Sequence, residues 1–204
     1  MITIINYGLG NVQAFANLYK RLNIAARIAS SAAELDGASK LILPGVGAFD
    51  HAMESFEESG MRQTVDDLVL RQGKPVLGVC VGMQMLARGS EEGTLPGLGW
   101  VDGQVRRFDA NKLPPPGRLP HMGWNDVIPR NGAGLFAGLE RDSRFYFLHS
   151  YYFDCASNDN ILATSEYGIE FGCAVRSNNV HGVQFHPEKS HDFGIRLLKN
   201  FAEL

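Results

Sequence analysis

Cysteine is scarce in this sequence: Cys80, Cys155 and Cys173 are the only three, and no two form a C-x-x-C pair. An odd, widely spaced set argues against a disulfide framework or a cysteine-based zinc site and favours a reducing cytoplasm. Long apolar runs are also missing. The longest, around Cys80, is too short to cross a bilayer and contains Gln84. Met1 leads directly into the strand-like Ile2-Thr3-Ile4-Ile5, with no basic segment or cleavage site, so no leader is expected. The net charge of -3, without a run of Lys or Arg, removes the electrostatic reason to expect nucleic acid. Internal repeats and low-complexity tracts are absent. What remains is a 204-residue chain, 45% hydrophobic and 20% charged, read as one globular domain over 1–204 with a sizeable core.

The first half alternates strand and helix. Ile2–Ile5 is a β-branched strand, and Asn11 is placed to cap a helix carrying Val12, Phe15, Leu18, Tyr19 and Leu22. A second strand is expected near Ile24–Ala29, followed by Ser31-Ala32-Ala33-Glu34 at capping-box spacing. Lys40–Leu43 reads as a buried strand stopped by Pro44, and Phe49–Glu58 and Met61–Gln72 read as helices. The second half alternates at period two over Trp100–Phe108, Phe145–Phe153, Ile161–Tyr167 and Phe171–Arg176, and Pro114-Pro115-Pro116-Gly117 reads as a loop. Val180–Phe185 is a last strand, and Phe193, Leu197, Phe201 and Leu204 mark a closing amphipathic helix. Short strand–helix alternation implies a parallel sheet covered on both faces, with mixed or antiparallel sheet added by the second half. The glycine-bearing loops Gly8–Asn11 and Pro44–Ala48, together with Cys80, then share the carboxyl edge of that sheet, where ligands bind.

Cys80 lies where the apolar run Lys74–Cys80 meets a Met/Leu-spaced stretch, with Gly78 two residues before it and Gly82 two after. This is a nucleophile-elbow pattern with Cys in place of Ser. A sulfur at a helix start favours thiolate, and the N–H of Val81 is a natural oxyanion donor. The competing reading is a buried strand-end cysteine.

A cysteine nucleophile acting on an acyl group needs a base that later returns a proton. His186 and Glu188 stand two residues apart at a strand end, with Pro187 biasing His186 toward extended geometry, so imidazole and carboxylate share a face. A carboxylate so placed fixes the imidazole tautomer. Taken alone, the pair also reads as a strand-end His beside a solvated Glu. His181, His186 and His191 are evenly spaced, but a turn and a helix start separate them, so no metal is expected. His121 and His149 are open between packing and site roles, and His51 reads as helix surface.

These residues resemble the class I glutamine amidotransferases. Gly78–Gln84 and His186-Pro187-Glu188 look like that family's elbow and His/Glu pair. Asn6–Asn11, Leu43–Phe49, Pro120–Asn125, His149–Tyr152 and Gln184–Ser190 extend the likeness over essentially the whole chain. The resemblance is closest to the members that serve histidine biosynthesis by passing ammonia to a (β/α)8-barrel cyclase. It implies a three-layer α/β fold of the family's type, with a central mostly parallel sheet, helices on both faces and an added antiparallel β region. It further implies Cys80, His186 and Glu188 as the catalytic triad and Val81, Val46 and Gly47 as the oxyanion hole. Gln84, Ser150 and Tyr151 would hold glutamine, and Asn11, His121, Trp124, Asn125 and Lys189 would face the cyclase in a heterodimer. No cofactor is implied. Val81 stands where many relatives carry Leu, a departure of little weight because only its N–H is used. A γ-glutamyl hydrolase or other glutaminase on the same scaffold, a cysteine peptidase, and a protein of this fold that has lost catalysis are the alternatives.

Overall fold

The β-branched runs of the first half become neighbouring strands of one sheet. A computed structural model describes residues 1–113, 117–130 and 134–204, so Pro114–Pro116 of the expected loop lie outside the described residues. In chain order the regular elements are β1 (Ile2–Ile5), α1 (Val12–Arg21), β2 (Ala26–Ala29), β3 (Lys40–Gly45), α2 (Phe49–Glu58), α3 (Arg62–Asp66), β4 (Val76–Cys80) and α4 (Val81–Gln84). The second half adds β5 (Gly103–Arg107), β6 (His121–Asp126), β7 (Ile128–Pro129), β8 (Arg144–His149) and β9 (Tyr151–Cys155). It closes with β10 (Ile161–Tyr167), β11 (Ile169–Ser177), β12 (Val180–Val183) and α5 (His191–Glu203).

Strands β2, β1, β3, β4 and β12 lie side by side and parallel. The sheet continues antiparallel through β11, β10 and β7, while β9 joins β11 to β5 and β6 pairs β8 in a separate ribbon. Strands β1, β4 and β12 are buried at every residue, as a sheet covered on both faces requires. Among the helices, α1 packs with α5 and α2 with α4. The amphipathic pattern of α5 buries Leu197, Leu198 and Phe201, while Leu204 stays exposed. Asn11 caps α1 as expected, its side chain accepting from the Ala14 N–H at 3.3 Å.

Four local expectations change. Strand β3 runs on through Pro44 to Gly45, because its pairing with β1 ends at Ile42 and a missing N–H on that side costs nothing. The 61–72 stretch is a short α-helix that widens into a π turn over Asp67–Arg71. Ser31–Glu34 forms no capping box; Glu34 accepts from the Ser30 N–H and a single 3-10 turn follows. The Phe145–Phe153 run breaks at Ser150 into two strands that enter different sheets.

The packing that places Cys80 depends on glycine. A Cβ on Gly78 would stand 2.6 Å from the Gly82 carbonyl oxygen, and one on Gly82 would collide with the Leu43 carbonyl of the neighbouring strand. Both obstacles are backbone, which cannot swing aside. Gly82→Ala is therefore expected to cost at least about 2 kcal/mol and to lower the urea-unfolding midpoint, whereas Gly37→Ala, in open space, costs less.

Candidate active site

Cys80 is the last residue of β4, and its backbone stands at φ 55°, ψ -114°. A side chain rarely adopts that conformation, which stores about 1–3 kcal/mol. Neighbouring structure holds it there: Gly45 pairs with Cys80 across the sheet, and the Tyr7 hydroxyl donates to the Pro44 carbonyl at 2.7 Å. The sulfur opens into a cavity of about 270 Å³. Sγ lies 3.9 Å from the Leu148 carbonyl oxygen and 3.9 Å from Gln184 Nε2. The helix expected after Gly82 is a single turn, Val81–Gln84, continued only by turns to Ala87. So short a helix contributes little dipole, and the imidazole beside the sulfur becomes the main electrostatic influence.

That imidazole is His186. Its Nδ1 is 2.9 Å from Glu188 Oε1, with both side chains buried, and it shares the cavity with Cys80. Burial pushes the His186 pKa down, but the hydrogen bonds and charges of Cys80 and Glu188 outweigh it, and the value rises from 6.5 to about 9. The pair forms by a route other than an extended strand. His186 is extended, but Pro187–Lys189 make a 3-10 turn that brings Glu188 back beneath the ring. The main chain here is pinned, since the His186 N–H donates to the Tyr146 carbonyl and the Ser190 hydroxyl donates to the His186 carbonyl at 2.6 Å. A protonated imidazole poised between a sulfur and a carboxylate can deliver a proton to a group leaving a carbon attached to that sulfur.

Val46, Gly47 and Val81 line the same cavity, together with Gln84, Ser150 and Tyr151. Gln84 is buried, its Nε2 3.1 Å from Gln184 Oε1 and 3.4 Å from the Tyr151 carbonyl. Four lining residues had no role assigned from sequence alone: Glu92, Pro120, Leu148 and His149. Glu92 is the cavity's one carboxylate among the described residues, and it also accepts from the Phe49 N–H at 2.9 Å, bracing the loop that carries Val46 and Gly47. No spacing in the sequence marks it, because the segment around it has neither helical nor strand period. Gln184 and Ser190 were visible only as parts of longer motifs. Burial raises the thiol pKa of Cys155 to about 12 and that of Cys173 further, so both are chemically quiet.

The five residues expected at a docking face separate. Asn11, Trp124 and Lys189 are exposed, with Trp124 stacked on His191 at 5.3 Å and Lys189 Nζ 5.9 Å from the Tyr146 ring centroid. Asn125 is half-buried. His121 is a correction: it is buried, stacked between Tyr167 at 4.1 Å and Phe147 at 4.7 Å, and offers no docking surface. His181 packs near Phe201, the ring centroids 6.3 Å apart.

The family model described as glutamine amidotransferase class-I matches residues 4–204. The imidazole glycerol phosphate synthase subunit HisH of Bdellovibrio bacteriovorus is 62% identical, the match covering all of both chains. The subunit of the same name from Leptospira interrogans is 48% identical, again with full coverage of both. Among solved structures, one titled as a glutamine amidotransferase superimposes with a TM-score of 0.73 at 22% identity, covering 100% of this chain and 99% of that one. The PurLQS structure from Thermotoga maritima gives 0.72 at 17% identity, covering 99% of this chain and 97% of that one. At these identities the structural matches speak for the fold alone.

His186 offers a direct check. Its folded pKa stands above the unfolded 6.5, so its contribution to stability is complete below pH 6.5 and is lost as pH rises through about 9. Histidine NMR should show a midpoint near 9 that falls in Glu188→Gln and in Cys80→Ala, and the stability slope between these pH values should flatten in both variants.

Proposed function

The chain belongs to the class I glutamine amidotransferases, and from that premise we infer how Cys80, His186 and Glu188 share the work. It is a glutaminase subunit of imidazole glycerol phosphate synthase, acting in histidine biosynthesis, as its full-length similarity to the HisH subunits supports. The observation that carries the mechanism is the strained Cys80 beside a His186–Glu188 pair at 2.9 Å, both His186 and Cys80 facing one cavity.

Cys80 Sγ attacks the side-chain amide carbon of L-glutamine, and charge collects on the carbonyl oxygen. The Val81 N–H and the Val46–Gly47 backbone receive that charge, each donor worth about 3 kcal/mol, or 10²–10³ in rate. Protonated His186 gives its proton to the departing nitrogen, and ammonia leaves a γ-glutamyl thioester. Neutral His186 then takes a proton from water, hydroxide attacks the thioester carbon, and the thiolate departs with release of glutamate. Glu188 keeps the imidazole oriented and favours its cationic form. Gln84 and the Ser150–Tyr151 backbone hold the amino-acid end of glutamine, and Glu92 supplies the negative charge its ammonium group needs.

Ammonia passes to a (β/α)8-barrel cyclase in a heterodimer. Support for the docking face comes from exposed side chains: Val46, at the cavity, is 40% exposed, Met122 61% and Trp124 39%, and Asn11 and Lys189 are exposed as well. The free cysteines favour a cytoplasmic setting for this chemistry. Among the described residues, no helix is long and apolar enough to cross a membrane. Hydrolysis without an acceptor wastes glutamine, so the isolated chain is nearly idle and the geometry of the Val46–Gly47 loop gates the rate.

The test is glutamate release from L-glutamine by the chain alone, then with a cyclase barrel and its nucleotide substrate. Release should rise by at least tenfold with the partner, and Cys80→Ala should abolish it. Fast release indifferent to the cyclase would keep the glutaminase and remove the pathway assignment. Peptide cleavage without glutamine turnover would favour a peptidase.

A further inference from the structure

Two buried histidines outside the triad join into one hydrogen-bonded chain whose direction is fixed at both ends. His149 Nδ1 lies 2.7 Å from the Tyr151 carbonyl oxygen, which can only accept, so Nδ1 carries the proton and Nε2 is the lone pair. That Nε2 is 2.9 Å from His121 Nδ1, which must therefore donate, leaving His121 Nε2 as an acceptor. Its donor is Asn125 Nδ2 at 3.2 Å. The Asn125 amide cannot be turned round, because Nδ2 also donates to the Glu166 carbonyl at 2.8 Å while Oδ1 accepts from the Asp126 N–H at 2.8 Å. The order is then Asn125 to His121 to His149 to the Tyr151 carbonyl, with both rings in the Nδ1–H form.

The chain ends at the cavity. The Phe108 N–H donates to the Ser150 carbonyl at 3.1 Å, which makes Arg107 and Tyr151 the non-hydrogen-bonded pair of the β5–β9 ladder. The N–H and carbonyl of Tyr151 therefore turn away from β5. On that side the carbonyl accepts from His149 and from Gln84 Nε2. Burial holds both imidazoles neutral, lowering His121 to about 4 and His149 to about 3, with His121 as the second cause for His149. A proton added to either ring would set donor against donor.

We propose that the Asn125–His121–His149 chain is a positioning device that fixes the Tyr151 peptide, and with it Gln84, for binding the amino-acid end of glutamine. The proposal rests on the glutaminase reading above. These are positioning residues, since they act on the substrate through the Tyr151 backbone. Losing one hydrogen bond of this kind weakens binding by about tenfold.

The experiment has two arms. Spectra of the full chain labelled with ¹⁵N-histidine should show His121 and His149 both protonated at Nδ1 and unprotonated at Nε2, neutral down to pH 5. In the second arm, affinity for L-glutamine is measured by calorimetry in a Cys80→Ala background, which binds without turning over. His121→Phe keeps a flat ring between Phe147 and Tyr167 but removes both hydrogen bonds, and should weaken binding about tenfold. His121→Asn restores a donor at the Nδ1 position and should recover most of the loss. Asn125→Ala, at the outer end, should shift affinity in the same direction by less, and it serves if His121→Phe does not fold. An Nε2–H tautomer on His149, or unchanged affinity in folded His121→Phe and Asn125→Ala, overturns the proposal. Absence of glutamine binding by Cys80→Ala itself, with the tautomers as expected, overturns the glutaminase reading and the chain's role toward glutamine with it.

Discussion

The site depends on one close approach of backbone to backbone. Where β4 ends, the Gly82 Cα lies against the Leu43 carbonyl of β3, and Gly78 lies against the Gly82 carbonyl. That contact turns the chain sharply enough to hold Cys80 at φ 55°. The loop after β3 carries Val46 and Gly47, so the same contact that strains Cys80 also brings that loop to the rim of the same cavity. The parallel order β3, β4, β12 then delivers His186 from the third strand to the same rim. Three consecutive neighbours in the sheet thus supply the parts to which the proposed mechanism gives the roles of oxyanion loop, nucleophile and base.

Histidine is put to opposite uses within this small region. His186 has a sulfur and a carboxylate for neighbours, and their combined influence overcomes burial to favour the cation. His149, also lining the cavity, has another imidazole and a carbonyl, and burial keeps it neutral. The difference lies in the partners, since both rings are buried. In the proposed mechanism one histidine moves a proton, and the other holds a proton in a fixed place.

Much of this was legible in the sequence where the signal is local. The glycines around Cys80 announce a turn that only small residues fit, the β-branched runs announce buried strands, and Asn11 announces a helix start. His186 and Glu188 were legible as a pair, although their meeting depends on a 3-10 turn and not on the strand alternation that suggested it. The misread segments share a cause. Pro44 stays in β3 because of where β1 happens to end, Phe145–Phe153 breaks because two sheets claim its halves, and His121 is buried by rings from Phe147 and Tyr167. Each is decided by partners distant in the chain. Glu92 escaped notice for the same reason, and Gln184 was visible only within a longer motif, because their value lies in what folds against them.

The most direct test of the central claim is to trap the acyl intermediate. The chain, with cyclase and nucleotide substrate present, is mixed with L-glutamine, quenched in acid within milliseconds and examined by mass spectrometry of its peptides. The account predicts the mass of one γ-glutamyl group on the Cys80 peptide, and none on the Cys155 or Cys173 peptides. Glutamate formed steadily with Cys80 never acylated, or acylation of another cysteine, would contradict it.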